Sequence, residues 1–268
     1  MLTVLIICKN ERANIAACAE SARPVADELL VADSGSSDGT LEIARALGCR
    51  VIEREYRTYG DFKRWAIPHA NHEWVLVLDA DERVTPELVS EIRKVFSTQP
   101  QVDGFWLRRL NHFFSRPILH GDWGHDYMLR LFRRDKVHCD PRTDHADVRV
   151  TTGRVGRLHA PFIHYPIVSY PQYLSKLYRY ASVQAELWHA EGRRASYWQL
   201  LMRGPLRFLR TYLLRLGFLD GTAGLQCSIL IGYGAFLKQA RLWELEQEGL
   251  AIGKKAPPDR RLAAIKAA

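Results

Sequence analysis

Four short apolar runs constrain this chain more than any other feature: "LTVLIIC" (2–8), "ELLVAD" (28–33), "CRVIE" (49–53) and "WVLVLDAD" (74–81). Each is close to continuous in apolar residues, not alternating, so each reads as a strand covered on both faces. Between them lie "ERANIAACAESA" (11–22), "GTLEIARALG" (39–48) and "YGDFKRWAIPHA" (59–70), which read as helices. Asp38 or Thr40 could cap the second helix, and Gly48 stands where that helix should close. Strands alternating with helices predict an α/β fold: a parallel, right-handed, doubly wound sheet flanked by helices. Such sheets bind ligands at the carboxyl ends of their strands. The polar clusters of this chain fall at those ends: "KNE" after the first strand, "DSGSSDGT" after the second, "DADE" after the fourth.

The last of these clusters is the most demanding. In "VLVLDADERV" (75–84) a buried strand runs into Asp79, Asp81 and Glu82. Carboxylates this close repel one another, and covering them costs hydration. Asp79 and Asp81 are two apart and would share one face of a strand. A turn of the backbone would instead let one reach a metal directly and the other through water or a sugar hydroxyl. Hard oxygen ligands at a strand end suit Mg²⁺ or Mn²⁺, which hold substrate phosphates. The other reading is a solvated acidic turn leading into a helix that starts near Pro86.

Motif searches narrow the chemistry. "DSGSSDGT" lacks the glycine spacing of a dinucleotide fingerprint, and no phosphate-binding P-loop occurs. What remains at the second strand tip is Asp33 followed by small residues that permit close approach of a ligand. An ordinary Asp/Gly/Ser turn reads the same way. The five cysteines (8, 18, 49, 139, 227) are scattered, which argues for a reducing compartment and against a disulfide frame or zinc site. "MLTVLIICKNER" is charged too early for a signal peptide, so export is not expected.

Charge is divided unevenly. Residues 1–100 carry 12 Lys and Arg against 16 Asp and Glu, leaving 26 against 14 for residues 101–268. A basic second half could face nucleic acid, an anionic membrane or an anionic substrate. No nucleic-acid module is present, and the basic residues are interleaved with Trp, Leu and Tyr at helical spacing, so nucleic acid is not expected. "GFWLRRLNHFF" and "YMLRLFRR" read as strands around the loop "SRPILHGDWGHD", and "TGRVGRLHAPFIHY" as a further extended stretch. Residues 170–191 and 196–216 read as helices. On the second, Leu206, Leu209, Tyr212, Leu213 and Leu216 share one arc and Arg203, Arg207 and Arg210 another, the pattern of a membrane-surface helix or of one packed on the catalytic domain. "GTAGLQCSILIGYGAFL" (221–237) reads as a buried or interfacial helix, not a transmembrane one. The expected organisation is a catalytic domain at 1–168 with halves 1–100 and 101–168, a helical extension at 169–250, and a mobile tail at 251–268.

Taken in order, "LTVLIICKNERANI", "ELLVADSGSSDGT" and "DFKRWAIPHANHEWVLVLDADERVTPEL" resemble the family-2 glycosyltransferases of the GT-A fold, and among them the lipopolysaccharide-core β-glycosyltransferases. The likeness continues more loosely through "RLFRR" (130–134), "HY" (164–165), "YLSKLYRYA" (173–181) and "GFLDGTAGL" (217–225). It implies an inverting transfer of a hexose from a nucleoside-diphosphate sugar, such as UDP-glucose, to a saccharide or glycolipid acceptor, assisted by Mg²⁺ or Mn²⁺. The resemblance puts Asn10, Glu11 and Asp33 in the nucleotide pocket, with Cys8 and Lys9 near the base. It brings Lys63 to the diphosphate and Asp79 to ribose or sugar, with Ala80 beside it. Asp81 would ligate the metal and His164 would complete that site. Alternatively, His164 packs beside Tyr165 and Pro166.

An inverting transfer needs a base for the acceptor hydroxyl. The subgroup implies a His-Glu pair after the "RLFRR" strand, and this chain departs from it: "TDHADV" has His145 followed by Ala146. Asp147, Asp144 or the loop residue Asp126 is left for the part, with Asp147 favoured. His145 and Asp122 are expected to be solvated or orienting. The implied location is the cytoplasm, with peripheral attachment to the inner face of the cell membrane. A Mg²⁺-dependent nucleotidyltransferase is the rival enzyme reading, although "CKNERAN" is not the glycine-rich phosphate loop it would use.

Overall fold

The computed structural model describes residues 1–141, 148–167 and 169–254, the last seven of these by backbone alone. The chain forms two compact units, Met1–Ile167 and Val168–Ala268. In the first, the elements run β1 (Leu2–Cys8), α1 (Ile15–Ala22), β2 (Glu28–Asp33), α2 (Thr40–Ala46), β3 (Arg50–Glu53), α3 (Tyr59–Ala66), β4 (Trp74–Asp79), β5 (Glu82–Val84) and α4 (Pro86–Ser97). They continue with β6 (Gly104–Phe113), β7 (Arg116–Pro117), α5 (Gly121–Gly124), β8 (Asp126–Arg133), β9 (Val137–His138), β10 (Arg149–Val150) and β11 (Val155–His164). The second unit comprises α6 (Tyr170–Ala190), α7 (Tyr197–Leu209) and α8 (Gly221–Lys254). Helix α8 covers 251–254, which were expected to begin a tail; residues 255–268 lie outside the described residues.

The strand order β3-β2-β1-β4-β8-β6-β11-β5 makes a mixed sheet. β1 to β4 pair in parallel, while β8 runs antiparallel to both β4 and β6. The double cover expected of the first strands is present in β1, β2 and β4, where it divides by residue parity, but not in β3, an edge strand whose Arg50 and Glu53 are exposed and whose Val51 and Ile52 are half-buried. Val4, Ile6, Val31, Leu76 and Leu78 enter one core cluster with Ile15 and Cys18 of α1 and Leu88 and Ile92 of α4. Leu5, Ile7, Leu30, Val75 and Val77 enter the other with Phe62 and Ala66 of α3. Every residue of β1 is buried.

Local signals set the helix ends. Thr85 caps α4 by accepting from the Leu88 N–H, with Pro86 in the first helical position. Gly48, at a positive φ of 74°, ends α2 as expected. Asp38 serves the start of α2 by accepting from the Thr40 N–H at 3.1 Å, and Thr40 Oγ1 in turn accepts from the Glu11 N–H at 2.9 Å.

One topological fact places the site. β4 ends at Asp79 and β5 begins at Glu82, yet β5 pairs with β11, at the far end of the sheet. The sheet must therefore curl until its far edge meets the tip of β4. Register then aligns the functional side chains: His164 lies opposite Glu82 on one side and Asn111 on the other. Arg109 lies opposite Asp126.

Candidate active site

The tips of β1, β2 and β4 are level, with Cys8 paired to Asp33 and Ile7 to Asp79. The loops that follow β1 and β2 are stitched together. Asn10, at φ 54°, donates its backbone N–H to Ser36 Oγ at 2.7 Å and accepts from the Ser37 N–H at 2.9 Å. Asn tolerates this left-handed conformation because its short side chain bonds locally. Glu11 Oε2 accepts from Asn14 Nδ2 at 2.8 Å, which steadies the start of α1. Asp33 is fully buried, and its carboxylate accepts from the Gly35 and Ser36 N–H groups at 2.8 and 2.7 Å, from Ser36 Oγ and from Cys8 Sγ at 3.3 Å. The structure thus places Asp33 as the organiser of its own loop. Burial, and then the charge of Asp33, push the Cys8 thiol well above its ordinary range.

At the tip of β4 the backbone turns, and the two aspartates of "DAD" part company. Asp79 is half-buried, and there Arg130 Nη2 donates to its Oδ2 at 2.7 Å and the Tyr59 hydroxyl donates to its Oδ1. The same Arg130 nitrogen donates to Glu82 Oε1 at 2.8 Å, and the Asp79 N–H donates to Glu82 Oε2 at 2.9 Å. Burial disfavours the charge on Asp79, but Arg130 and then Lys63 outweigh it and hold the carboxyl well below its usual range. Glu82, which is buried, is pushed up to about 6 by desolvation, against the pull of Arg130 and with the push of Asp79. Lys63 on α3 is almost fully buried, its Nζ 4.1 Å from the Tyr59 ring centroid. Desolvation, then repulsion by Arg130, lowers it to about 8.

Asp81 goes the other way. Its Oδ2 stands 3.5 Å from His164 Nε2. His164 Nδ1 meets Asn111 Oδ1 at 2.7 Å, and Asn111 Nδ2 donates to the Trp123 carbonyl and to Asp126 Oδ2 at 3.0 and 3.1 Å. With the Asn111 amide nitrogen committed to two acceptors, its oxygen must face the imidazole, and Nδ1 must carry the proton. The neutral form of that imidazole presents its Nε2 lone pair to the Asp81 carboxylate, and the protonated form donates to it. A cation set against both groups would suit the neutral form. Among the described residues no three or more His, Cys, Asp or Glu side chains are gathered to enclose a metal. The donor set that fits one here is the pair Asp81 and His164, leaving most positions of a six-coordinate ion to ligand oxygens and water. Of the two arrangements open to "DAD", a shared strand face or a turn of the backbone, the structure has the turn, with Asp79 beside Arg130 and Asp81 beside His164.

Asp126, a candidate base, accepts on Oδ2 from Arg109 Nε at 2.7 Å as well as from Asn111. Asp144, His145 and Asp147 lie outside the described residues. Ala80 is buried, its carbonyl accepting from Arg83 Nη1 at 2.8 Å. Four contributors went unassigned in the sequence: Arg130, Glu82, Tyr59 and Asn111. Arg130 had a signal, since an arginine inside the apolar run "MLRLF" needs a buried partner. Tyr59 and Asn111 had none.

Residues 3–160 match the family model described as Glycosyl transferase family 2. An uncharacterized glycosyltransferase of Rickettsia typhi is 29% identical over 259 residues, covering 91% of this chain and 87% of that protein. LpsC of Rhizobium meliloti, a lipopolysaccharide core biosynthesis glycosyltransferase, is 25% identical over 249 residues, with coverage of 91% and 92%. Among solved structures, glucosyl-3-phosphoglycerate synthase of Mycobacterium tuberculosis in complex with phosphoglyceric acid superposes with a TM-score of 0.50 at 17% identity, over 70% of this chain and 79% of that one. That likeness shows a shared GT-A fold.

Two stability outcomes follow from the buried charges. Arg130→Met removes the partner of the buried Glu82 and the half-buried Asp79 and is expected to destabilise the protein by roughly 3–5 kcal/mol in urea denaturation. Lys63→Met is expected to stabilise it at pH 7, because below pH 8 the wild type carries the full cost of a buried ammonium. Between pH 8 and about 10.4 the folded wild type sheds that proton while the unfolded chain keeps it, so wild-type stability rises and the advantage of Lys63→Met shrinks. Urea titrations of both proteins at pH 7 and pH 10 measure the difference.

Proposed function

Because the chain belongs to glycosyltransferase family 2, we propose that it moves a hexose, with inversion, from a nucleoside-diphosphate sugar to a saccharide acceptor carried on lipid. The observation that carries this reading is the pair Asp81 and His164, held 3.5 Å apart beside the Asp79–Arg130–Glu82 network at the carboxyl ends of the strands. A nucleotide enters such a crevice over the loops after β1 and β2, where Asn10 and Glu11 stand, with the Cys8–Lys9 backbone beside the base and Asp33 fixing the loop from beneath. Asp79, locked by Arg130 and Tyr59, is rigid enough to orient a ribose or sugar hydroxyl, and Ala80 keeps the wall beside it small. Lys63 supplies positive charge toward the diphosphate. The similarity to LpsC supports a lipopolysaccharide-core type of acceptor, and UDP-glucose is the donor to try first.

Asp81 and His164 would hold Mg²⁺ or Mn²⁺, which when bound neutralises the charge that develops on a departing nucleoside diphosphate. The protein's own part is to hold the anomeric carbon open on the face opposite the diphosphate. There the acceptor oxygen forms its bond as the carbon–diphosphate bond breaks, and a carboxylate takes the hydroxyl proton. Asp126 is already engaged by Arg109 and Asn111. Asp147 is the base we favour, with Asp144 and Asp126 as the alternatives.

Asp81→Ala should abolish transfer and the divalent-dependent part of UDP binding, read by calorimetry with and without Mn²⁺ or Mg²⁺, while far-UV circular dichroism stays unchanged. Near-normal turnover in that variant would overturn the assignment. For the base, Asp147→Asn should cut transfer to acceptor by roughly 10²–10⁴-fold and leave donor binding intact. Asp144→Asn should do little. Normal transfer by both, with loss in Asp126→Asn, would move the base to the other loop.

A further inference from the structure

In the unit formed by α6, α7 and α8, Leu230, Leu237 and Leu242 of α8 are buried, but α7 and the turns after it leave large apolar side chains exposed. Tyr197 and Trp198 at the start of α7 are 72% and 69% exposed, and Leu214 in the turn after it is 80% exposed. Leu206, Leu219 and, on α8, Ile229 are each more than half uncovered. What holds α7 against α8 is the smallest residue. A Cβ on Gly204 would lie 3.3 Å from the Gly232 carbonyl oxygen, and one on Gly232 would lie 2.9 Å from the Gly204 carbonyl oxygen. The two backbones therefore meet directly, with Leu200, Pro205, Phe208, Tyr233 and Phe236 lining a groove of about 880 Å³ along the contact.

A helix pair built for water holds together by burying its large apolar residues along the contact. Here the closest approach is made by glycines, as where helices meet in hydrocarbon and show their leucines to lipid. Among the described residues no helix is long and apolar enough to cross a membrane. A helix that lies in the membrane interface covers an exposed apolar face of this kind.

Charge says which interface. Between residues 197 and 240 there are five cations, Arg203, Arg207, Arg210, Arg215 and Lys238, against the single acid Asp220. Burial, then Arg207 and Arg203, hold Lys238 below its ordinary value, so three cations share one neighbourhood. Arg203 also lies over the Trp188 ring at 5.4 Å. Cations among exposed leucines and aromatics can extend their apolar stems along the acyl boundary and leave their charge at the phosphates.

We propose that α7, the turns through Asp220 and the outward face of α8 form a docking surface for an anionic bilayer. The leucines and aromatics enter the boundary between headgroups and acyl chains, and the arginines contact lipid phosphate. The surface lies wholly within the helical unit, so its test stands apart from that of the transfer chemistry.

The full chain is mixed with vesicles of phosphatidylcholine, with and without phosphatidylglycerol, and binding is read by co-sedimentation and by quenching of tryptophan fluorescence with brominated lipid. Binding is expected on the anionic vesicles, falling as salt is raised. Arg203→Gln, Arg207→Gln and Arg210→Gln together should weaken it roughly 100-fold. Leu206→Glu with Leu214→Glu, both at exposed positions, should abolish it without loss of helix by circular dichroism. Trp198→Phe should remove much of the lipid quenching. Equal binding to neutral and anionic vesicles, or binding untouched by the leucine variants, would overturn the proposal. So would a protein that ignores vesicles, whether monomeric by light scattering or a dimer that Leu206→Glu with Leu214→Glu dissociates. In the dimer case the apolar face closes on a second copy.

Discussion

A single buried arginine organises the site. Arg130 Nη2 lies within 2.8 Å of carboxylates from two different segments, Asp79 at the end of β4 and Glu82 at the start of β5. Those segments belong to strands that are neighbours in sequence and far apart in the sheet. The ion pair fastens the curled sheet at its seam. Without it, three carboxylates in four positions would repel one another inside a poorly solvated turn. With it, two share one guanidinium and the third, Asp81, stands beside His164. Arg130 Nε and Nη1 have no hydrogen-bond partner among the described residues, and the Phe162 ring lies 5.9 Å from its guanidinium carbon. An arginine so confined has little freedom to let go of the acids.

From that clamp the geometry of the candidate centre propagates by register. Once β5 pairs with β11, His164 stands beside Glu82, and the parallel pairing of β11 with β6 brings Asn111 to its other side. Asn111 is held in turn by Asp126 and the Trp123 carbonyl, and Asp126 by Arg109. A chain of single hydrogen bonds thus orients one imidazole nitrogen toward Asp81. Each member is fixed by its neighbour, so the Asp81–His164 pair is presented with little rotamer freedom. Rigid presentation of that kind is what the proposed handling of a nucleoside diphosphate would require. The other half of the crevice is built differently, from backbone. There Asp33, Ser36 and Asn10 satisfy loop N–H groups and leave the exposed rim to the ligand.

The reading of the residues and the structure agree most closely where one periodicity decides the matter. β1 and β2 fall on the residues expected, because a doubly buried strand needs apolar side chains at both parities and little else in the chain offers that. The "DAD" turn was visible for the same reason, as charge at the end of such a run. Its internal division was not. Asp79 and Asp81 are equally acidic in sequence, and only the approach of Arg130 from β8, some fifty positions away, pairs one with an arginine and leaves the other beside His164. Asp33 shows the same limit: a strand-tip aspartate was apparent, yet whether it faces a ligand or its own loop depends on how "GSS" folds back over it.

The amino-acid sequence by itself determined the α/β half, the strand tips at which polar chemistry gathers, and the amphipathic, basic character of the C-terminal helices. These depend on side-chain periods of two and about 3.6, which are local properties of the backbone. Tertiary structure alone decided the mixed sheet order, the pairing of β5 with β11, the buried Arg130 clamp and the Asn111–His164–Asp81 line. Those rest on contacts between residues tens of positions apart, and no local period encodes which distant strand a three-residue segment will pair with. The same holds for α7 on α8: "RGPL" and "IGYG" mark small residues, but only the packed pair shows backbone meeting backbone and the leucines left outside.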